Sequence, residues 1–122
     1  MIREDVIKEL IDIVGERYVL YAPEDLLVYE YDGSQEKGLP ELVLVPSSTE
    51  EVSRIVKVAR RENIPIVPRG AGTSISGGAI AASRGIMLSM ARLRQILEVD
   101  PENMIAWLNM GNVLKGLKRF GA

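Results

Sequence analysis

The stretch LVLVPSSTEEVSRIVKVARRENIPIVPRG, residues 42–70, decides the fold. It opens on a short apolar run, Leu42 to Pro46, which reads as a buried strand, and closes on a second, IPIVP over residues 64–68. The segment between them has the marks of a helix. Ser48 with Glu51 three positions on is a capping-box pattern. Acidic residues fill the first turn and basic ones the last, which suits the helix dipole. Val52, Ile55, Val56 and Ala59 make an apolar stripe at helical spacing. Strand, helix and strand at this separation form a βαβ unit, whose two strands run parallel.

Working outward, GIMLSM over residues 85–90 predicts a third strand. Toward the amino terminus, EDVIKELIDIV (4–14) places Val6, Leu10, Ile13 and Val14 on one helical face, with Gly15 as the stop. Residues 16–41 carry turn residues and all four tyrosines and read as irregular. The expected architecture is α/β: a small, three-stranded, largely parallel sheet with flanking helices.

Composition limits the function classes. The 122 residues hold 15 basic and 17 acidic side chains, a net charge of −2, with no long basic run to attract nucleic acid or a membrane surface. There is no cysteine, so disulfides, thiolate metal sites and cysteine catalysis are excluded. There is no histidine, the commonest general base and transition-metal ligand. No metal site is expected. No apolar run approaches the roughly 18 residues of a membrane span, and MIREDVIKEL is not a signal peptide. A cytoplasmic protein is expected.

The glycine-rich stretch PRGAGTSISGGA, residues 68–79, follows the second strand directly. In open α/β sheets ligands sit outside the carboxyl ends of the strands. Glycine lets a ligand approach the main chain closely, so that consecutive N–H groups can converge on an anion, and Thr73, Ser74 and Ser76 add hydroxyl donors. Neither common phosphate fingerprint fits. A dinucleotide motif starting at Gly70 needs glycine where Ile75 stands, and a P-loop starting at Gly72 meets Gly78-Ala79 where lysine and serine or threonine belong. On spacing alone a flexible surface connector remains open. Arg69 can pair with a phosphate or be a surface arginine at a strand end.

YDGS (31–34), the run 42–80 and GIMLSMARLRQILEVDPEN (85–103) resemble the amino-terminal flavin-binding region of the FAD-linked oxidases, in particular the glycolate oxidase flavoprotein and D-lactate dehydrogenase branch. The resemblance implies the first half of a PCMH-type FAD-binding domain, over residues 1–106. It implies that the loop wraps the FAD pyrophosphate, with Gly70, Ala71, Gly72, Thr73 and Ser74 donating hydrogen bonds. Gly77 and Gly78 would allow close approach, and Pro46, Pro68 and Arg69 would border the same cleft. Relatives that attach FAD covalently carry histidine where Thr73 stands, so a non-covalent flavin is expected.

The resemblance is expected to end near Ala106. Trp107, Met110, Gly111 and Leu114 fall on the spacing of a tetratricopeptide helix, but one repeat cannot bury its own face. A plain amphipathic helix over 107–122, packed on the flavin-like core, is expected instead. No catalytic residue is assigned: Tyr29, Tyr31 and Asp32 could move protons, but loop tyrosines usually serve packing. Three roles follow from this reading. One is an FAD-binding unit without turnover alone. The others are an interaction module, oligomeric, that kept the fold and lost the ligand, and a subunit completed in trans by a partner covering the uncovered face.

Overall fold

The computed structural model describes residues 1–29, 38–70, 84–93 and 95–108. In chain order the elements are α1 (Glu4–Val14), β1 (Val19–Leu20), α2 (Pro23–Leu26), β2 (Leu42–Leu44), α3 (Thr49–Arg61), β3 (Ile66–Arg69), β4 (Ile86–Ser89), β5 (Ile96–Asp100) and β6 (Ile105–Leu108). Short 3-10 turns occupy Glu16–Tyr18 and Leu27–Tyr29.

The β2–α3–β3 unit is present, and its strands share a direction without touching. β4 lies between them, parallel to both: Leu42 and Ile66 each stand opposite Ile86, and Leu44 stands opposite Leu88. The sheet has four strands rather than three, in the order β1-β2-β4-β3. The added strand is β1, antiparallel to β2 with Val19 opposite Leu44. It falls in the stretch expected to be irregular, because two residues are too few to show a period.

Alternation along the strands divides the core in two. Leu42, Leu44, Ile86 and Leu88 face the layer formed by Val6, Leu10 and Ile13 of α1 and Ile55, Val58 and Ala59 of α3. Val43 and Met87 face the other side, against Leu26, with Leu20, Leu39 and Val67 around them. Burial on both faces explains why LVLV and IML are unbroken apolar runs, as parallel strands usually are.

Helix α1 buries the four residues its spacing predicts, and Gly15 ends it at φ +92°, its N–H donating to the Ile11 carbonyl at 2.7 Å. At the start of α3, Ser48 Oγ accepts from the Glu51 N–H at 3.1 Å. The Glu51 carboxylate accepts in return from the Ser47 N–H, one residue earlier than in the standard box. The apolar stripe of α3 is corrected in one position. Val56 is 44% exposed, and Val58 is buried instead. Both flank the Ile55–Ala59 line, and α1 lies on the Val58 side, where Ile13 and Val58 border a common recess. Ion pairs join the two helices, Arg3 to Glu62 at 2.7 Å and Arg61 to Glu9.

The helix expected over 107–122 is corrected at its first two residues, and the rest of it lies outside the described residues. Trp107 lies in β6, opposite Glu98 of β5, in an antiparallel two-stranded ribbon. The reversal is built by DPEN, residues 100–103: the Asp100 carboxylate accepts from the Asn103 N–H at 3.3 Å and from Asn103 Nδ2 at 2.8 Å, and Met104 follows at φ +54°. An aspartate that closes its own turn in this way commits the next residues to pair back. Met110, Gly111 and Leu114 lie outside the described residues.

Candidate cofactor site at the carboxyl edge of the sheet

Because β2, β3 and β4 are parallel, their carboxyl ends form one edge. Val45 and Pro46 follow β2 there, Gly70 follows β3, and Met90 follows β4. Gly70 is half-buried, and the glycine-rich segment departs from it. The chain then re-enters the sheet at the opposite, amino edge, where Gly85 leads into β4. Fourteen uncharged residues, 70–83, lie between Arg69 and Arg84, with no aspartate or glutamate among them. Such a segment offers N–H and hydroxyl donors and no competing carboxylate. That donor set suits an anion such as a pyrophosphate.

The amino edge is closed. Gly85 is buried at φ +81°, and a Cβ there would stand 2.5 Å from the Pro65 carbonyl oxygen. The Ile86 N–H donates to that carbonyl at 2.9 Å, and the Gly85 carbonyl accepts from the Glu41 N–H at 2.9 Å. Glu41 also takes the Ile2 N–H at 3.0 Å and pairs with Arg84 at 3.4 Å. A recess of about 290 Å³ beside Val6, Glu41 and Gly85 belongs to this end, away from Gly70.

Among the described residues, the contacts at the carboxyl edge are mostly polar. The turn Met90–Leu93 closes with the Leu93 N–H on the Met90 carbonyl at 2.9 Å, and the Met90 N–H donates to the Arg69 carbonyl at 2.8 Å. Arg92 donates from Nη1 to the Val45 carbonyl at 3.1 Å and lies over the Tyr18 ring, 3.6 Å from its centroid. Ser89, opposite Arg69, is buried.

Of the residues expected at the site, Pro68 and Arg69 lie on β3 and Gly70 follows it, all at this edge. Pro46 sits at the same edge but is fully buried, so its ring has no free surface for a ligand. Ala71, Gly72, Thr73, Ser74, Gly77 and Gly78 lie outside the described residues, as do Tyr31 and Asp32. Among the described residues no group of three or more Asp or Glu could hold a metal ion. No helix there is long and apolar enough to cross a membrane. Arg92 and Tyr18 went unread in the sequence. Their contact joins distant positions, and a single arginine after an apolar strand is a weak signal. Gly85 was more legible, as a glycine between Arg84 and an apolar run.

A parallel α/β sheet with a glycine-rich, carboxylate-free segment leaving its carboxyl edge is the setting in which nucleotide-binding proteins hold their ligands. The profile of the FAD binding domain family matches residues 40–122, and the chain belongs to that family, whose cofactor is FAD. The match runs past Ala106, where the resemblance was expected to end. The glycolate oxidase subunit GlcD of Bacillus subtilis is 38% identical over 112 residues, covering 91% of this chain and 24% of that protein. A D-lactate dehydrogenase of Archaeoglobus fulgidus is 37% identical over 112 residues, covering 88% of this chain and 25% of that protein. The chain spans about a quarter of the length of the curated relatives it matches. In fold it resembles an alkyldihydroxyacetonephosphate synthase, with TM-score 0.83 at 24% identity over 98% of this chain and 27% of that one. It also resembles p-cresol methylhydroxylase with substrate bound, with TM-score 0.83 at 21% identity over 95% of this chain and 24% of that one.

Proposed function

We propose that the segment from Arg69 to Gly78 grips the pyrophosphate of FAD, and that the chain serves a cytoplasmic oxidoreductase acting on a 2-hydroxy acid of the glycolate or D-lactate kind. The observation that carries this reading is the uncharged, glycine-rich stretch that starts at the carboxyl edge of a parallel sheet, in a member of the FAD binding domain family. Main-chain N–H groups from Gly70 to Ser74, with the Thr73 and Ser74 hydroxyls, are the donors, and Gly77 and Gly78 let the ligand come close. Arg69 and Pro68 set the start of the grip. Neither histidine nor cysteine is present in these residues to attach FAD at the grip, so the grip itself is non-covalent.

FAD, when bound, supplies the two-electron acceptor for oxidation of a hydroxyl carbon. The proton of that hydroxyl needs a base, and these 122 residues contain no histidine to serve as one. No catalytic role is assigned within these residues, which on this reading bind and orient the cofactor. Calorimetry of the purified protein with FAD, followed by desalting, tests the reading. Saturable one-to-one binding with retained yellow colour supports it, and no heat at high micromolar FAD overturns it.

The β5–β6 ribbon favours a second role beside the first. Leu97 is 61% exposed, Val99 37% and Ile105 45%. Val99 and Ile105 lie on opposite faces of the ribbon, and exposed apolar residues of this kind suit cover by more protein, as a second copy or a partner chain. A strictly monomeric mass by light scattering would count against it.

A further inference from the structure

Two features of the carboxyl edge meet in one four-residue turn. On one side, the Met90 N–H holds the Arg69 carbonyl, the last carbonyl of β3 before the glycine-rich segment, at 2.8 Å. On the other, Arg92 reaches across to the Val45 carbonyl just beyond β2 and stacks on Tyr18. Tyr18 is itself fixed, its carbonyl accepting the Val45 N–H at 2.9 Å. Leu93 packs against the helical core and anchors the turn from below. The turn thus spans the ends of all three parallel strands, and Arg92 is its polar tie.

We infer that Arg92 is a positioning residue for the dinucleotide grip: stacked on Tyr18 and bonded to Val45, it fixes the Met90–Leu93 turn that holds Arg69 and so sets where Gly70 leaves the sheet. The inference rests on the FAD reading above and adds a residue outside the Arg69–Gly78 segment. A guanidinium is suited to the task, since it stacks on an aromatic face and donates in its own plane at once. Small displacements of a supporting group are felt strongly at a site built from aligned main-chain donors.

The test compares the wild-type protein with Arg92→Met and Arg92→Lys in three measurements. These are FAD affinity by calorimetry, melting temperature without FAD, and the exchange rate of the Met90 amide without FAD. The expected result is an affinity weakened about tenfold in Arg92→Met and only partly restored in Arg92→Lys, which keeps the charge but not the planar stack. The Met90 amide exchanges faster in Arg92→Met, while the Ile55 amide in α3 and the melting temperature stay close to wild type. An FAD affinity for Arg92→Met within about twofold of wild type overturns the inference. So does an unchanged Met90 amide. If the wild-type protein binds no FAD, the cofactor reading fails, and the amide comparison alone decides whether Arg92 ties the turn. If Arg92→Met does not fold, Tyr18→Leu removes the stack, leaves the bond to Val45 and is judged by the same criteria.

Discussion

The two edges of the parallel sheet are made differently. At the amino edge, backbone meets backbone: Gly85 presses on Pro65, and Glu41 gathers the Ile2 N–H and Arg84. At the carboxyl edge the strand ends are linked by a turn, one arginine and a tyrosine ring, and the glycine-rich segment leaves from between them. A methyl added at Gly85 would meet backbone, whereas at the other edge the chain runs from Gly70 into the glycine-rich segment. On the proposed reading, stability and binding are then separated along the strand axis.

The strongest challenge to this contrast is Gly85→Ala. The new methyl would meet the Pro65 carbonyl oxygen at 2.5 Å, on a residue already at φ +81°. A loss of about 3 kcal/mol is expected, seen as a fall in melting temperature of roughly 10–20 °C. Little change would mean that the amino edge is looser than its contacts imply. Ser48→Ala examines the carboxyl side, where α3 begins just after Pro46. Loss of the cap on the Glu51 N–H should cost about 1 kcal/mol in denaturant titration, clearly less than Gly85→Ala. An effect as large as that of Gly85→Ala would erase the asymmetry.

The smallest effect belongs to the exposed ion pairs on the helical layer. Hydrogen bonding to Arg61 holds the Glu9 carboxyl below its ordinary value of 4.5, and Arg3 does the same for Asp5 below 3.8. Groups depressed in the folded state stabilise it above their ordinary values, and that contribution is lost as pH falls through and below them. Glu9→Gln should therefore lower stability slightly at neutral pH, leave it unaltered in acid, and so flatten the acid limb of the stability curve. Both partners are exposed, so a large change at pH 7 would contradict this account.

How far the fold could be read from sequence follows from the range of each interaction. Ser48 and Glu51 sit three residues apart, so the start of α3 was visible, and the α1 face followed from its period. β1 was not visible, because Val19 and Leu20 become a strand only by pairing with residues more than twenty positions away. IAWL at 105–108 is too short for its period to separate strand from helix, and the decisive clue was the Asp100–Asn103 turn before it. The glycine-rich string pointed to the family through resemblance, since the general phosphate fingerprints did not fit, and the family is the one that matches. The Arg92 tie to Val45, 47 positions back, left no local trace at all.

The central claim, that the carboxyl edge grips a pyrophosphate, is tested most directly by titrating the protein with FAD in the presence of ADP or of riboflavin. ADP carries the pyrophosphate and riboflavin does not. The account predicts that ADP competes with FAD and riboflavin competes far less. Competition by riboflavin alone, or equal binding of FAD and riboflavin, would contradict it.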